Sequence, residues 1–257
     1  MRLPSSPVRG GDLAGTIEAV GGKVTRWTPG DEVFGSCRGA FAEYACTSES
    51  ALVTKPDNVT FEQAASVAIA GVTALQGLRD KARVRPGHAV LVNGAAGGVG
   101  TFAVQIAKAF GAEVTGVCSP RNVDLVQSIG ADHVIDYTRE DFTQNGQRYD
   151  LILDNVGDHS MAATRRALAP DGTLLSNGGG HAGGAIGRIV RLAIVSMFVR
   201  QQGRPSVKFQ NRADLLALKE LVEAGSITPV IDGTYPLRET PRAIAQVAAG
   251  HARALHG

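Results

Sequence analysis

Glycines at 94, 97, 98 and 100, in the run NGAAGGVG, mark where this chain is built to approach a ligand with bare backbone. The first N–H groups of a helix lack intrahelical partners, and the helix dipole places its positive end among them. Phosphate binds there when no side chain stands in the way. The chemistry these residues suit is the capture of a dinucleotide pyrophosphate; the competing reading is a glycine-rich connector in another α/β sheet. A second pair of residues bears on which dinucleotide. The run Val117-Cys118-Ser119-Pro120-Arg121-Asn122 carries no Asp or Glu to accept from a ribose 2′-hydroxyl. Ser119 and Arg121 instead offer a hydroxyl and a guanidinium suited to a 2′-phosphate, which favours NADPH over NADH. Alternatively, Arg121 is a solvated charge beside a helix start capped by Asn122.

These residues need a strand, a turn, a helix and a second strand in succession. Ala89–Val92 is a short apolar run, predicted as a buried strand. Val99, Phe102, Ala103, Ile106, Ala107 and Phe110 recur at helical spacing, with Gly111 placed to stop the helix, and Glu113–Cys118 is the next strand. Strand–turn–helix context is what gives a glycine pattern meaning. The alternation continues: a helix over 122–129, strands over 133–136 and 150–156, and a helix over 160–168. A turn at Pro170-Asp171-Gly172 then leads to a strand over 173–176 that opens on Gly178-Gly179-Gly180. Such alternation predicts an α/β fold, a doubly wound parallel sheet with right-handed crossovers. Ligands on such sheets lie beyond the C-terminal strand ends, which selects Ser119, Tyr137, Asn155, Gly157 and Gly178 as cleft residues.

The flanks differ. Short strands are expected over 15–21, 32–35, 41–45 and 52–55, separated by turns such as Pro29-Gly30-Asp31, and point to a small antiparallel barrel or sandwich. A helix capped by Thr60, with Glu62-Gln63 near the capping-box position, is expected to break at Gly71–Ala74 and resume to Leu78. After the sheet, 212–224 reads as an amphipathic helix with Leu215, Leu218, Leu221 and Val222 on one face. Short extended pieces follow at 227–231 and 234–237, then a last helix over 241–248.

With 257 residues, 44% hydrophobic and a net charge of +2, the chain can bury a sizeable core and shows no basic stripe for nucleic acid. Cys37, Cys46 and Cys118 have neither metal nor disulfide spacing, and the six histidines are dispersed, so no metal site is expected. The opening MRLPSSPVRG lacks the apolar core of a secretory signal, which leads to a cytoplasmic expectation. Residues 182–199 are apolar but interrupted by Arg188 and Arg191, so an amphipathic helix is expected there rather than a membrane span.

Taken together, DLAGTIEAVG (12–21), PGDEVFG (29–35), AFAEYA (40–45), AGVTAL (70–75), NGAAGGVG (93–100), GADHVIDY (130–137), ILDNVG (152–157) and VIDGTYPL (230–237) resemble the medium-chain dehydrogenase/reductase superfamily, nearest its zinc-free quinone oxidoreductase branch. The resemblance implies a GroES-like barrel substrate domain, discontinuous over 1–65 and 205–257, beside a Rossmann domain over 66–204. It also implies a homodimer using NADPH. By position, Gly97, Gly98, Val99 and Gly100 match the family's phosphate turn, Ser119 and Arg121 its 2′-phosphate side, and Tyr137 a residue near the adenosine. Thr73 matches the motif lining the nicotinamide, and Asn155 and Gly157 the loop under the cofactor. On the bland alternatives, Tyr137 caps a strand, Asn155 holds a turn and Thr73 is a helix-internal hydroxyl. Where zinc-bearing relatives carry Gly-His-Glu, this chain has Gly10-Gly11-Asp12. Family members have further strands ahead of the position of Asp12 and a last strand beyond Arg253, so only a partial barrel is expected here.

The resulting expectation is hydride transfer from NADPH to a quinone or an α,β-unsaturated carbonyl compound, with no general acid evident. The alternative is a non-catalytic NADPH-binding or interaction protein. A short-chain dehydrogenase is set aside, because no tyrosine has a lysine four residues later.

Overall fold

The computed structural model describes residues 8–177, 202–205, 211–248 and 255–256. The chain forms two compact units, one of Met1–Val72 with Phe209–Gly257, the other of Thr73–Lys208.

In the first unit, β1 (Asp12–Thr16), β2 (Glu32–Ser36) and β3 (Leu52–Thr54) form an antiparallel sheet in that order. Trp27, Val33 and Leu52 make a small core, with Leu13, Ile17 and Val24 packed against it. The strand expected over 41–45 does not form. Phe41 N–H donates to Arg9 O (2.9 Å) and Ala42 N–H to Ala40 O (2.8 Å), so donors that a ladder would need are spent locally. Buried Lys55, just past β3, fastens the next turn. Its Nζ meets Glu32 Oε2 (3.1 Å), Pro56 O (3.2 Å) and Val59 O (3.1 Å).

The helix α1 (Phe61–Leu75) starts on the expected capping box, now seen to be reciprocal. Thr60 N–H donates to Gln63 Oε1 (3.0 Å) and Gln63 N–H to Thr60 Oγ1 (3.3 Å). The expected break at Gly71–Ala74 is absent. The helix runs through to Leu75 and continues as a π-helical turn over Gln76–Lys81. Gly71 serves packing instead, since a Cβ there would stand 3.1 Å from Leu218 Cδ1.

The second unit is the βα alternation read from the sequence. Its elements are β4 (Ala89–Asn93), α2 (Gly98–Ala109), β5 (Glu113–Cys118), α3 (Val123–Ser128), β6 (His133–Asp136), β7 (Tyr149–Asp154), α4 (Met161–Arg166), β8 (Leu168–Ser176) and β9 (Gln202–Pro205). All six strands are parallel, in the order β6-β5-β4-β7-β8-β9. This is the doubly wound order, and the winding reverses between β4 and β7. Val90, Leu91, Val92, Leu151, Ile152 and Leu153 are all essentially inaccessible, as a sheet covered on both faces requires. Helix α2 buries Phe102, Ala103, Ile106 and Ala107 completely. Burial of Phe102 alone is worth about 1.5–3 kcal/mol.

Pro170-Asp171-Gly172 does not make the expected turn but lies inside β8. Tyr149 pairs with Leu168 while Leu151 pairs with Thr173, so the ladder absorbs the extra residues as an irregularity. Pro170 has no N–H to give to a ladder, which makes this the position where pairing can lapse.

The chain then returns to the first unit. Helix α5 (Arg212–Glu223) buries Leu215, Leu218 and Val222 and is capped by Asn211, whose side chain accepts from Asp214 N–H (2.9 Å). The short strand β10 (Ile231–Gly233) precedes α6 (Thr240–Ala248). The pair Leu255–His256 forms β11, parallel to β10, where no terminal strand was expected. The amphipathic helix expected over 182–199 lies outside the described residues. Among those described, no helix is long and apolar enough to cross a membrane.

Candidate cofactor site

The site sits where the winding of the second unit reverses, at the C-terminal ends of β4 and β7. After Asn93 the chain turns on Gly94, whose φ of +77° disfavours a side chain. Gly94 and Ala95 both donate N–H to Val117 O (3.1 and 3.0 Å), which ties the turn to the end of β5. Gly97 is the N-cap of α2, with extended backbone and no side chain to cover the helix end. Gly98, Val99 and Gly100 are then the first three helical residues, whose N–H groups have no intrahelical acceptor. Gly100 is fixed by contact: a Cβ there would lie 2.1 Å from Gly94 O and 2.8 Å from Ala95 O. At Gly97 a Cβ would meet only Gly94 O, at 3.4 Å. The glycines thus divide the work. Gly100 lets the helix seat on the turn, while Gly97 leaves its N-terminal end without a side chain.

The opposite wall is the loop after β7. Asn155 N–H donates to Asn93 O (3.1 Å), and Asn177 Nδ2 donates to Asn155 Oδ1 (2.8 Å). Buried Asp154 organises this wall: its Oδ1 accepts from Asn93 Nδ2 (3.0 Å), Val156 N–H (3.2 Å) and Gly157 N–H (2.8 Å). Gly94 faces the same loop, with Val156 Cγ2 3.0 Å from where its Cβ would be. Asn155 Nδ2 and Asn177 Oδ1 are buried without a hydrogen-bond partner. An unpaired donor and acceptor in this crevice, beside three free helix N–H groups, are the complement of a polar ligand, and the residues fit a dinucleotide.

At the end of β5, Ser119 is half-buried and Arg121 exposed. Asn122 makes no side-chain cap of the following helix, contrary to the alternative reading of Arg121. Its Nδ2 donates back to Ser119 Oγ (3.1 Å), and its buried Oδ1 is left unpartnered. No carboxylate occupies this strand end. Asp136, paired with Cys118 across the ladder, ends β6, where its Oδ1 accepts from Thr138 N–H and Oγ1 (2.9 and 2.8 Å). Burial, with a contribution from Asp136, pushes the Cys118 thiol up to about 11. Tyr137 stands 58% exposed beside this strand end.

The structure therefore brings Gly97, Gly98, Val99, Gly100, Asn155 and Gly157 around one crevice, with Ser119, Arg121 and Tyr137 along the neighbouring strand ends. Thr73 is apart from these in kind: it lies inside α1, only 1% exposed. Gly178 lies outside the described residues. The sequence reading missed Asn93, Asp154, Asp158 and His159. Asn93 and Asp154 each close a strand in the motifs NGAAGGVG and ILDNVG, and a polar residue ending an otherwise apolar strand was the available signal.

Among the described residues, no group of three or more His, Cys, Asp or Glu is placed to hold a metal ion. The first unit contains a separate open cavity of about 650 Å³, whose lining includes Leu13, Ile17, Trp27, Val33, Phe41 and Tyr44.

The parallel sheet, its reversal point and the open helix start define a dinucleotide-binding α/β protein. Comparison with known proteins narrows the class. The family profile described as "Zinc-binding dehydrogenase" matches residues 129–254, and that described as "Alcohol dehydrogenase GroES-like domain" matches residues 1–57. The quinone oxidoreductase of Pseudomonas aeruginosa is 36% identical, over 96% of this chain and 79% of its own. The mouse NAD(P)H oxidoreductase RTN4IP1, mitochondrial, is 35% identical, over 95% of this chain and 68% of its own. The crystal structure of Escherichia coli quinone oxidoreductase complexed with NADPH superposes with a TM-score of 0.85 at 26% identity, covering 98% of this chain and 82% of that one. The chain belongs to the medium-chain dehydrogenase/reductase superfamily. It is an oxidoreductase of that superfamily.

Proposed function

We propose that this oxidoreductase uses NADPH in preference to NADH and reduces a quinone or an α,β-unsaturated carbonyl compound without zinc. The observation that carries the cofactor choice is the end of β5, where Ser119 and Arg121 stand and no carboxylate does. The relatives support the wider reading: one is named a quinone oxidoreductase, another an NAD(P)H oxidoreductase, and a third was solved with NADPH.

In this reading the N–H groups of Gly98, Val99 and Gly100 donate to the pyrophosphate. Arg121 pairs with the 2′-phosphate, Ser119 Oγ hydrogen-bonds to it, and Tyr137 lies along the adenosine. Asn155 Nδ2 and the Gly157 backbone serve the loop under the cofactor, Thr73 belongs to the nicotinamide side, and Gly178 completes the set. Bound NADPH supplies the hydride. The chain contributes position and desolvation, which is most of what a hydride transfer asks of a protein. The open cavity of the first unit, lined by Trp27, Phe41 and Tyr44 together with polar residues such as Glu18 and Glu43, has the size of a small-molecule site and is consistent with a ring-bearing acceptor. We assign no proton donor. The domain boundaries 1–65 with 205–257 and 66–204, and a homodimer, complete the proposal.

The test is acceptor-dependent oxidation of NADPH and of NADH with a quinone and an enone, by the parent chain and by Arg121→Ala. The expected result is turnover with NADPH, and a variant that loses affinity for NADPH about tenfold or more while its affinity for NADH is unchanged. Equal use of both nucleotides by the parent would refute the assignment of Ser119 and Arg121. Tight NADPH binding without turnover of either acceptor class would favour the non-catalytic reading.

A further inference from the structure

His159 lies at the entrance to α4, in the loop that follows β7, and both of its ring nitrogens face carboxylates. Nδ1 is 2.8 Å from Asp158 Oδ1 and Nε2 is 3.1 Å from Asp141 Oδ1. The ring packs against Phe142, with centroids 4.7 Å apart, and the side chain is 23% exposed. The Nδ1 contact is a hydrogen bond, in which the ring donates to the ionised Asp158 carboxylate, and the Nε2 contact is an ion-pair distance.

The bridge does not end at these carboxylates. Asp158 Oδ1 also accepts from Asn93 Nδ2 (3.2 Å). The same Nδ2 reaches Asp154 Oδ1 (3.0 Å), and that oxygen holds the N–H groups of Val156 and Gly157. On the other side, Asp141 is anchored in the β6–β7 connection by Thr143 N–H and Oγ1 (both 2.8 Å) and by Gln144 Nε2 (2.6 Å). An unbroken chain of polar contacts therefore runs from the β6–β7 connection, through the imidazole, to the turn between β4 and the β7 loop. The charged groups facing the ring are Asp141 from that connection and Asp158 from its own loop, with Asp154 behind Asn93.

We propose that His159 is a positioning residue for the cofactor: hydrogen-bonded to Asp158 and set against Asp141, its ring clamps the 155–158 loop into the shape that the crevice presents to the dinucleotide. This rests on the nucleotide reading of the crevice given above. With the clamp made, the ring bridges Asp158 and Asp141, and Asn93 orients Asp154. Without it, Asp141 and Asp158 lose the ring between them, and the loop holding the Val156 and Gly157 amides loses one of its ties to the rest of the unit.

The test uses the full chain with His159→Leu and His159→Gln, and His133→Gln as control. His133 pairs with Glu113 at an exposed site at the N-terminal strand ends, away from the crevice. The first readout is amide hydrogen exchange in the nucleotide-free protein. Val156 and Gly157 are expected to exchange faster in both His159 variants, while β5 amides are unchanged. The second is NADPH affinity, expected to weaken about tenfold in His159→Leu and less in His159→Gln, whose amide can still donate to Asp158. Unchanged exchange at Val156 and Gly157 in variants that fold overturns the clamp. Faster exchange with unchanged affinity overturns the positioning role. A parent chain that binds no nucleotide would instead sink the proposed function, and the positioning role with it.

Discussion

Replacing Gly100 by alanine should damage the molecule through packing rather than through the ligand. The added Cβ would sit 2.1 Å from Gly94 O and 2.8 Å from the carbonyl carbon and oxygen of Ala95. Ordinary contact begins at 3.4 Å, so α2 or the turn must retreat by roughly 1.3 Å. All three obstructing atoms are backbone, so no rotamer change relieves the clash. Overpacking a tight site costs about 1–3 kcal/mol, and a rigid backbone neighbour puts this case near the upper end. At about 2–4 °C per kcal/mol for a protein of this size, Tm should fall by about 6–12 °C. Differential scanning calorimetry of the nucleotide-free chain measures this directly. Gly97→Ala is the comparison, because its Cβ meets only Gly94 O at 3.4 Å. It should lose only about 1 kcal/mol at the N-cap, yet bind NADPH much more weakly because its methyl stands on the open helix end. A Gly100→Ala Tm within about 2 °C of the parent would refute the contact argument. So would a Gly97→Ala variant that unfolds as readily as Gly100→Ala.

Other outcomes follow from single observations. A thiol reagent at pH 8 should modify exposed Cys46 and leave Cys118 untouched until the chain unfolds, since a group at about 11 is thiolate to only about one part in a thousand there. Mass spectrometry of labelled peptides decides this. At Asp141, burial raises the carboxyl, but hydrogen bonds from Thr143 and Gln144 and the charge of His159 outweigh it and hold it at about 2. Its stabilising contribution is therefore fully present above the unfolded value of about 4 and is lost as pH falls through about 2. Asp141→Asn should accordingly be less stable than the parent at neutral pH, with the Tm gap closing across that window. Lys55→Met should destabilise the first unit by about 1–3 kcal/mol, because Glu32 and the carbonyls of Pro56 and Val59 lose their donor; chemical denaturation reads the loss.

The second unit was legible because its signals are local and redundant. Apolar runs such as YDLILD, a helical period from Val99 to Phe110 and a glycine turn between them each demand the same fold. The failures have a common physical origin in glycine, proline and short polar segments whose partners are distant in sequence. Gly71 reads as a breaker, yet its missing Cβ makes room for Leu218, well over a hundred residues on. Pro170-Asp171-Gly172 reads as a turn, but the neighbouring β7 accommodates it as an irregularity in the ladder. The segment 41–45 alternates like a strand but spends its donors on residues 9 and 40. At the site, the glycines announce themselves because phosphate chemistry requires them at close spacing. The Asn93–Asp154–Asp158–His159 network does not, because its members come from two strand ends and a loop, and their pairing exists only once the sheet has formed. His159 in particular looked like one of several dispersed histidines.

The central claim is that the helix start at Gly97–Gly100 and the Ser119/Arg121 strand end together form a site for NADPH. Isothermal titration calorimetry of the chain with NADPH and, separately, with NADH tests it most directly. Tight binding of NADPH and binding of NADH weaker by tenfold or more is the predicted result. Equal affinities would contradict the role given to Ser119 and Arg121, and heat from neither nucleotide would contradict the site itself.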